Sequence, residues 1–356
     1  MKLTTWIVAA LVMALPSIGV AAQYTVTSLG PGIPLDINSS GEVVGDNLIY
    51  SNGVIQYIPV SRAVPAGIND SGQVVGRVGI LNPEFGEFVA HPILYSDGVV
   101  HDLGTLPGGI GGAAQKINNL GQVVGAASKP FPGPHPFLYS DGVMHDLGTL
   151  GGISGLAYDI NNRGQVVGDS DTSNQRHAFL YSDGVMHDIG TLAGPGVSST
   201  ARGINDNGLV VGYSRTADGW SRAFLYDGSM HDLGTLEGGE SRAWGINLSG
   251  QVVGDSDNNA PLNASDHTYT HAFLYSGGTM RDLNTLIDPS SGWILDTARG
   301  INDSGQIAGS GFRVGDEFTR YAVLLTPIPE PSSFVLAALG LIGLVAWKRR
   351  LVSLAP

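Results

Sequence analysis

The chain has 356 residues, enough for a large core or two domains, and no cysteine, which excludes disulfides and thiolate metal sites. Only 14% of residues are charged while 52 are glycine, about twice the usual share, which favours short strands and tight turns over long salt-bridged helices. Setting aside Lys2, Lys348, Arg349, Arg350 and Glu330 in the terminal segments leaves 30 acids against 14 bases, a net charge of −16 that argues against nucleic-acid or anionic-lipid partners.

The chain opens with Lys2, an apolar run from Trp6 to Leu15, and Val20-Ala21-Ala22 before Gln23. A basic start, a short apolar stretch and small residues at −3 and −1 are the requirements of a secretory signal peptide, so residues 1–22 are expected to be removed by signal peptidase between Ala22 and Gln23.

From there to residue 326 one pattern recurs seven times: Ile-Asn, two residues, Gly, one residue, two apolar residues, Gly. It begins at Ile37, Ile68, Ile117, Ile160, Ile204, Ile246 and Ile301, in steps of 31, 49, 43, 44, 42 and 55 residues. In one unit, Ala157–Ile160 reads as a strand, Asn161–Gly164 as a turn and Gln165–Gly168 as the returning strand. A second hairpin follows, Ala178–Ser182 and Val185–Ile189 around Asp183-Gly184, a dipeptide suited to a two-residue turn. Four short antiparallel strands in about 43 residues is the size of a propeller blade.

The seventh unit carries only half of its second hairpin, Tyr321–Leu325, and the missing partner resembles Tyr24–Leu29 at the other end of the body. Pairing the two would close a ring and remove both exposed edges. The expected fold is therefore all-β, a seven-bladed β-propeller of four-stranded antiparallel blades closed by its N- and C-terminal strands. A linear β-solenoid or a sandwich array is the alternative.

Residues 327–356 carry Pro329-Glu330-Pro331 near their start, continue through an almost wholly apolar stretch from 332 to 347, and pass to Lys348-Arg349-Arg350. Sixteen helical residues span about 24 Å, so a single transmembrane helix is expected, its basic flank in the cytoplasm and the body outside. This order resembles the PEP-CTERM sorting signal of Gram-negative bacteria that make extracellular polysaccharide. The resemblance implies a processing role for Pro329, Glu330 and Pro331, with an exosortase as the processing partner. The body resembles the extracellular HAF repeats: His177-Ala178-Phe179 and His271-Ala272-Phe273 match outright, and Arg222-Ala223-Phe224, His135-Pro136-Phe137 and His91-Pro92-Ile93 are variants. That resemblance implies a secreted repeat protein without a defined activity.

Motifs for chemistry are sparse. Four His-Asp pairs, at 101–102, 145–146, 187–188 and 231–232, repeat with the units. Adjacent strand residues face opposite ways, so these pairs read as hydrogen bonds between blades. The alternating oxygens of Asp255, Asp257, Asn259 and Asp266 make a loose calcium-loop candidate, although Ala260 stands where such a loop needs glycine. No nucleophile elbow, zinc-protease helix, P-loop or dinucleotide fingerprint is present, and no arginine cluster stands out. The expected function is a non-catalytic surface module, without a cofactor apart from that calcium candidate. It would meet matrix polysaccharide or an envelope protein through its loops. The alternative is a carbohydrate-active enzyme, a glycosidase or lyase, on the same scaffold.

Overall fold

The computed structural model describes residues 23–329 apart from 47, 83–85, 130–132 and 259–269. Ala22, Glu330, Pro331, Lys348, Arg349, Arg350 and the expected helix 332–347 lie outside the described residues. Among the described residues no helix is long and apolar enough to cross a membrane.

Seven four-stranded antiparallel sheets follow one another along the chain. Six are built from consecutive strands: blade 1 from residues 34–56, blade 2 from 63–102, blade 3 from 112–146, blade 4 from 155–190, blade 5 from 199–232 and blade 6 from 241–282. Blade 7 takes three strands from Trp293–Ile301, Ile307–Arg313 and Asp316–Pro327, and its outermost from Tyr24–Pro31. Tyr24 pairs with Pro327, Val26 with Leu325 and Ser28 with Val323, the closure expected from the sequence. The amide of Ile328 donates to Gln23 O at 2.8 Å, so the C-terminal segment leaves the body beside the first described residue.

The core lies between blades, and the repeat shows how. Of the paired valines in blade 4, Val166 packs with Val124 of blade 3, while Val167 packs with Val210 of blade 5. Phe179 joins the first cluster and Ala178 the second, so each doublet serves both neighbours. Phe137, Phe179, Phe224 and Phe273 are fully buried, each worth roughly 2–3 kcal/mol of transfer free energy. At the seam, Leu29 of the first strand packs with Leu48 of blade 1 and Ala322 and Leu324 of blade 7. The outermost strands differ from the rest. Val185, His187 and Asp188 are exposed, so apolar burial on both faces belongs to the inner strands.

The asparagine of each Ile-Asn unit does more than shape a turn. Its Oδ1 accepts from backbone amides two and four residues on, as Asn161 does from Arg163 N and Gln165 N at 3.0 Å. Its Nδ2 donates across to the carbonyl of the corresponding asparagine in the next blade. The seven bonds, Asn38 to Asn69, Asn118, Asn161, Asn205, Asn247, Asn302 and back to Asn38, measure 2.9–3.2 Å and form an unbroken circle. The following residue adds a partial second ring, with the amides of Ser39, Asp70, Asn119, Asn162 and Leu248 donating to the next blade's Asp or Asn at 2.7–3.0 Å.

Candidate functional site

The innermost strand of every blade carries a β-bulge at the same place. In blade 4 the pairing jumps from Ala157 to Asp159, leaving Tyr158 as the extra residue. The other bulged residues are Leu35, Ala66, Gln115, Arg202, Trp244 and Arg299. A bulge re-aims a side chain, and all seven of these line one end of the central channel, a cavity of about 190 Å³. The strand geometry also explains the glycine that ends each unit: a Cβ on Gly168 would stand 1.9 Å from the Leu156 carbonyl oxygen.

On the side formed by blades 4–7 the bulged residues alternate aromatic and cationic. The Arg202 guanidinium lies 3.8 Å from the Tyr158 ring centroid and 5.0 Å from that of Trp244, and Arg299 lies 4.1 Å from Trp244 on its other neighbour's side. Buried acids stand behind this ladder. The Trp244 indole donates to Asp255, and Thr200 Oγ1 donates to Asp169 at 3.1 Å. Burial raises both carboxyls above the ordinary aspartate range, against the pull of Arg176 on Asp169 and of the Trp244 indole on Asp255. Burial likewise lowers the Arg299 guanidinium and raises the Tyr158 hydroxyl to about 12. Trp244 also borders a groove of about 370 Å³ between blades 5 and 6, where Tyr213 meets it edge-on at 5.8 Å.

One residue further along the strand, Asp36, Lys116 and Asp159 occupy the channel where the other four blades have glycine. Lys116 Nζ reaches Asp36 directly. Asp36 Oδ2 accepts from Ile68 N at 2.8 Å and Asp159 Oδ2 from Ile204 N at 2.9 Å, so each carboxylate ties its blade to the next. Burial pushes Asp159 up to about 6 in spite of Lys116. Although burial works against its charge, the two carboxylates hold Lys116 above the usual lysine value. Lys116 and Asp159 border both the bulge-lined compartment and a second one of about 190 Å³ on the asparagine-ring side, so this ion cluster partitions the channel.

The residues singled out from sequence fall elsewhere. Asp255 and Asp257 belong to the strand Val252–Asp257 and are not loop residues. Asp255 is buried against Trp244, and Asp257 Oδ2 accepts from Glu240 N at 3.1 Å. Two members of the calcium candidate thus sit on a strand, where they brace Trp244 and a neighbouring turn; the other two, Asn259 and Asp266, lie outside the described residues. The His-Asp reading is corrected. In three of the four pairs the aspartate bonds a histidine of the third strand of its own blade, His91–Asp102, His135–Asp146 and His177–Asp188 at 2.8–3.0 Å, as Asp282 does with His271 at 2.6 Å. In the fourth pair His231 bonds Asp227 of its own blade at 2.9 Å, and among the described residues no bond from these four pairs crosses between blades. The same aspartates cap the exit turn, as Asp188 does for Gly190 N at 2.8 Å. Gln23 donates to Leu286 O at 2.8 Å and Pro329 is exposed. The arginines of the channel mouth were missed because they come from blades 5 and 7, 97 positions apart in sequence. Stacking the seven copies on Ile-Asn and reading two residues back would have shown them.

The PEP-CTERM protein-sorting motif matches residues 327–350. The chain carries this signal. It marks an exported surface or extracellular protein of a Gram-negative bacterium, processed by an exosortase. The family described as "Protein of unknown function (DUF3466)" matches residues 196–320. No curated protein matches the chain. Among solved structures, TolB from Acinetobacter baumannii is similar at 11% identity and a TM-score of 0.42, over 88% of this chain and 65% of that one. The β-propeller domain of the Trilobed protease from Pyrococcus furiosus is similar at 11% identity and 0.38, over 72% and 96%. A protein of unknown function from Dyadobacter fermentans follows at 12% and 0.42, over 85% and 99%. The chain thus spans just under two thirds of the TolB chain it matches.

Proposed function

We propose that this sorted propeller is a non-catalytic binding module of the extracellular matrix, and that it takes a glycan at the bulge-lined mouth of its channel. The observation that carries the reading is the ladder Tyr158, Arg202, Trp244 and Arg299, four side chains from four blades that bulges turn into one concave site. Aromatic faces and guanidinium forks suit the apolar faces and oxygen-rich edges of sugars, and closure of the ring fixes their spacing in advance. The sorting motif and the likeness of the units to extracellular HAF repeats support a matrix location.

A glycosidase or lyase on the same scaffold is the second reading, and the raised Asp169 and Asp255 carboxyls favour it. Neither of them lines the mouth, however, and each is engaged by its neighbours, which supports a bracing role instead. A glycan array and a panel of polysaccharides assayed for cleavage, both with the full chain in detergent, separate the two. Binding without turnover is expected. Cleavage abolished by Asp169→Asn or Asp255→Asn would replace the binding reading with the enzymatic one.

A further inference from the structure

The two arginines of the channel mouth make no ion pair at contact distance; Asp255 and Asp296 act on Arg299, and Asp169 feels Arg202, only from further away. Other cations nearby are matched: Arg176 with Asp171 at 3.0 Å, Arg242 with Glu240 at 2.5 Å, Arg320 with Asp296 at 2.5 Å. Among the described residues no carboxylate comes within ion-pair distance of Arg202 or Arg299, and the Nε of each is buried without an acceptor. The polar bond given to either is Arg202 Nη2 to the Tyr213 hydroxyl, at a long 3.4 Å. Buried polar atoms are nearly always satisfied, so two guanidiniums in one cavity, each with an unbonded Nε and no ion pair at contact distance, call for a ligand that supplies acceptors. Contact with the Tyr158 and Trp244 rings holds both guanidiniums in place, and a fixed fork is what a planar, doubly accepting group exploits.

We propose that the mouth is a subsite for a sugar bearing a carboxylate, with Arg202 and Arg299 taking the carboxylate and the groove beside Trp244 taking the adjoining sugar. This deepens the glycan-binding reading and rests on it. The 190 Å³ compartment is below the ~300–1,000 Å³ of drug-sized pockets, so it admits one residue and not a chain. The acidic surface of the body repels dense polyanions at long range, so the fitting ligand carries its carboxylates sparsely, as a terminal or branching uronate.

The test uses the full chain in detergent with methyl glucuronoside, methyl glucoside and inorganic phosphate as calorimetric probes. The glucuronoside is expected to bind at least tenfold more tightly than the glucoside, and phosphate to compete weakly. Arg202→Gln and Arg299→Gln should each weaken the glucuronoside at least tenfold, whereas Arg281→Gln on the exposed outer strand of blade 6 should not. Arg202→Lys and Arg299→Lys keep the charge but lose the fork, so they should weaken it as well. These serve where a glutamine variant fails to fold. Equal affinity for both glycosides overturns the proposal, as does uronate binding that survives the arginine changes. Phosphate binding as tight as the glucuronoside reassigns the site to a free oxyanion and also overturns it. If an array shows glycan capture that the arginine variants leave intact, the binding module stands and this subsite falls. If neither array nor glucuronoside responds, both fall.

Discussion

Replacing Asn161 by alanine removes one seventh of the asparagine circle together with the turn bonds of the same side chain, and tests the claim that this side chain, acting within and between blades, is why the motif repeats. Three bonds to the backbone are lost: Nδ2 to Asn205 O at 3.0 Å in blade 5, and Oδ1 from Arg163 N and Gln165 N at 3.0 Å. At roughly 1 kcal/mol net for each bond the cost is about 3 kcal/mol, and more if the buried Asn205 carbonyl finds no water. With unfolding entropy near 2.1 cal/mol/K per residue, about 300 residues convert that into a fall of roughly 5 °C in melting temperature. The control is Asn162→Ala. It loses the bond from Asn119 N at 2.9 Å and its own bond to Asp206 at 2.9 Å, both in the exposed second ring, and should cost no more than about 1 kcal/mol. Urea unfolding followed by tryptophan fluorescence reads both. If Asn161→Ala costs no more than Asn162→Ala, neither the circle nor the turn bonds of this side chain hold the blades as argued, and the reasoning is wrong.

Gly168→Ala should destabilise by more than about 3 kcal/mol in the same urea assay, because the new Cβ would meet the Leu156 carbonyl at 1.9 Å and the Phe179 ring at 2.8 Å; a cost below about 1 kcal/mol would refute that close approach. Leu29→Ala should cost about 2–4 kcal/mol, since this side chain is only 1% exposed in the seam, and an unchanged midpoint would mean that the first strand is not docked in solution. The Asp159 carboxyl, followed by carbon NMR, should titrate near pH 6, and Lys116→Met should move it higher still by removing the cation that opposes burial. Because its folded value lies above the unfolded 3.8, its contribution to stability is fully present below about pH 4 and is lost as pH rises through 6. That loss is on the order of 3 kcal/mol at most, and a midpoint near 4 would sink the assignment.

Much of this architecture was legible because the repeat states it seven times. Ile-Asn-x-x-Gly-x-Val-Val-Gly encodes a tight turn and a strand with apolar residues on both sides, and the half-hairpin Tyr321–Leu325 announced its partner at Tyr24–Leu29. What the pattern concealed were interactions between units. Asn161 looks like a turn residue because its turn role is local, while its bond to Asn205 O joins positions 44 apart. The histidine of the third strand and the aspartate of the fourth lie 11 residues apart and face one another only once the hairpin register is known. Asp255 resembled a calcium ligand because alternating oxygens are equally compatible with a loop and with one face of a strand.

The location of the site follows from the same comparison of units. Ring closure constrains the isoleucine, the asparagine and the apolar doublet, which meet the neighbouring blade in the same way each time, and close pairing of the first two strands within a blade constrains the closing glycine. Ring closure leaves the bulged residue out of those repeated contacts, because the bulge turns that side chain into the channel. A freed position under no functional demand would drift toward small or generic polar residues, and Ala66 and Gln115 look like that. Blades 4–7 instead carry Tyr158, Arg202, Trp244 and Arg299, two large aromatics and two cations with no carboxylate in contact, none of which closure requires. Burying a cation whose carboxylates stand too far off to bond it works against folding. A scaffold that already satisfies its own edges through Asn302 to Asn38 and through Tyr24–Pro31 can tolerate that cost on one side of its channel, and ligand binding is what would offset it.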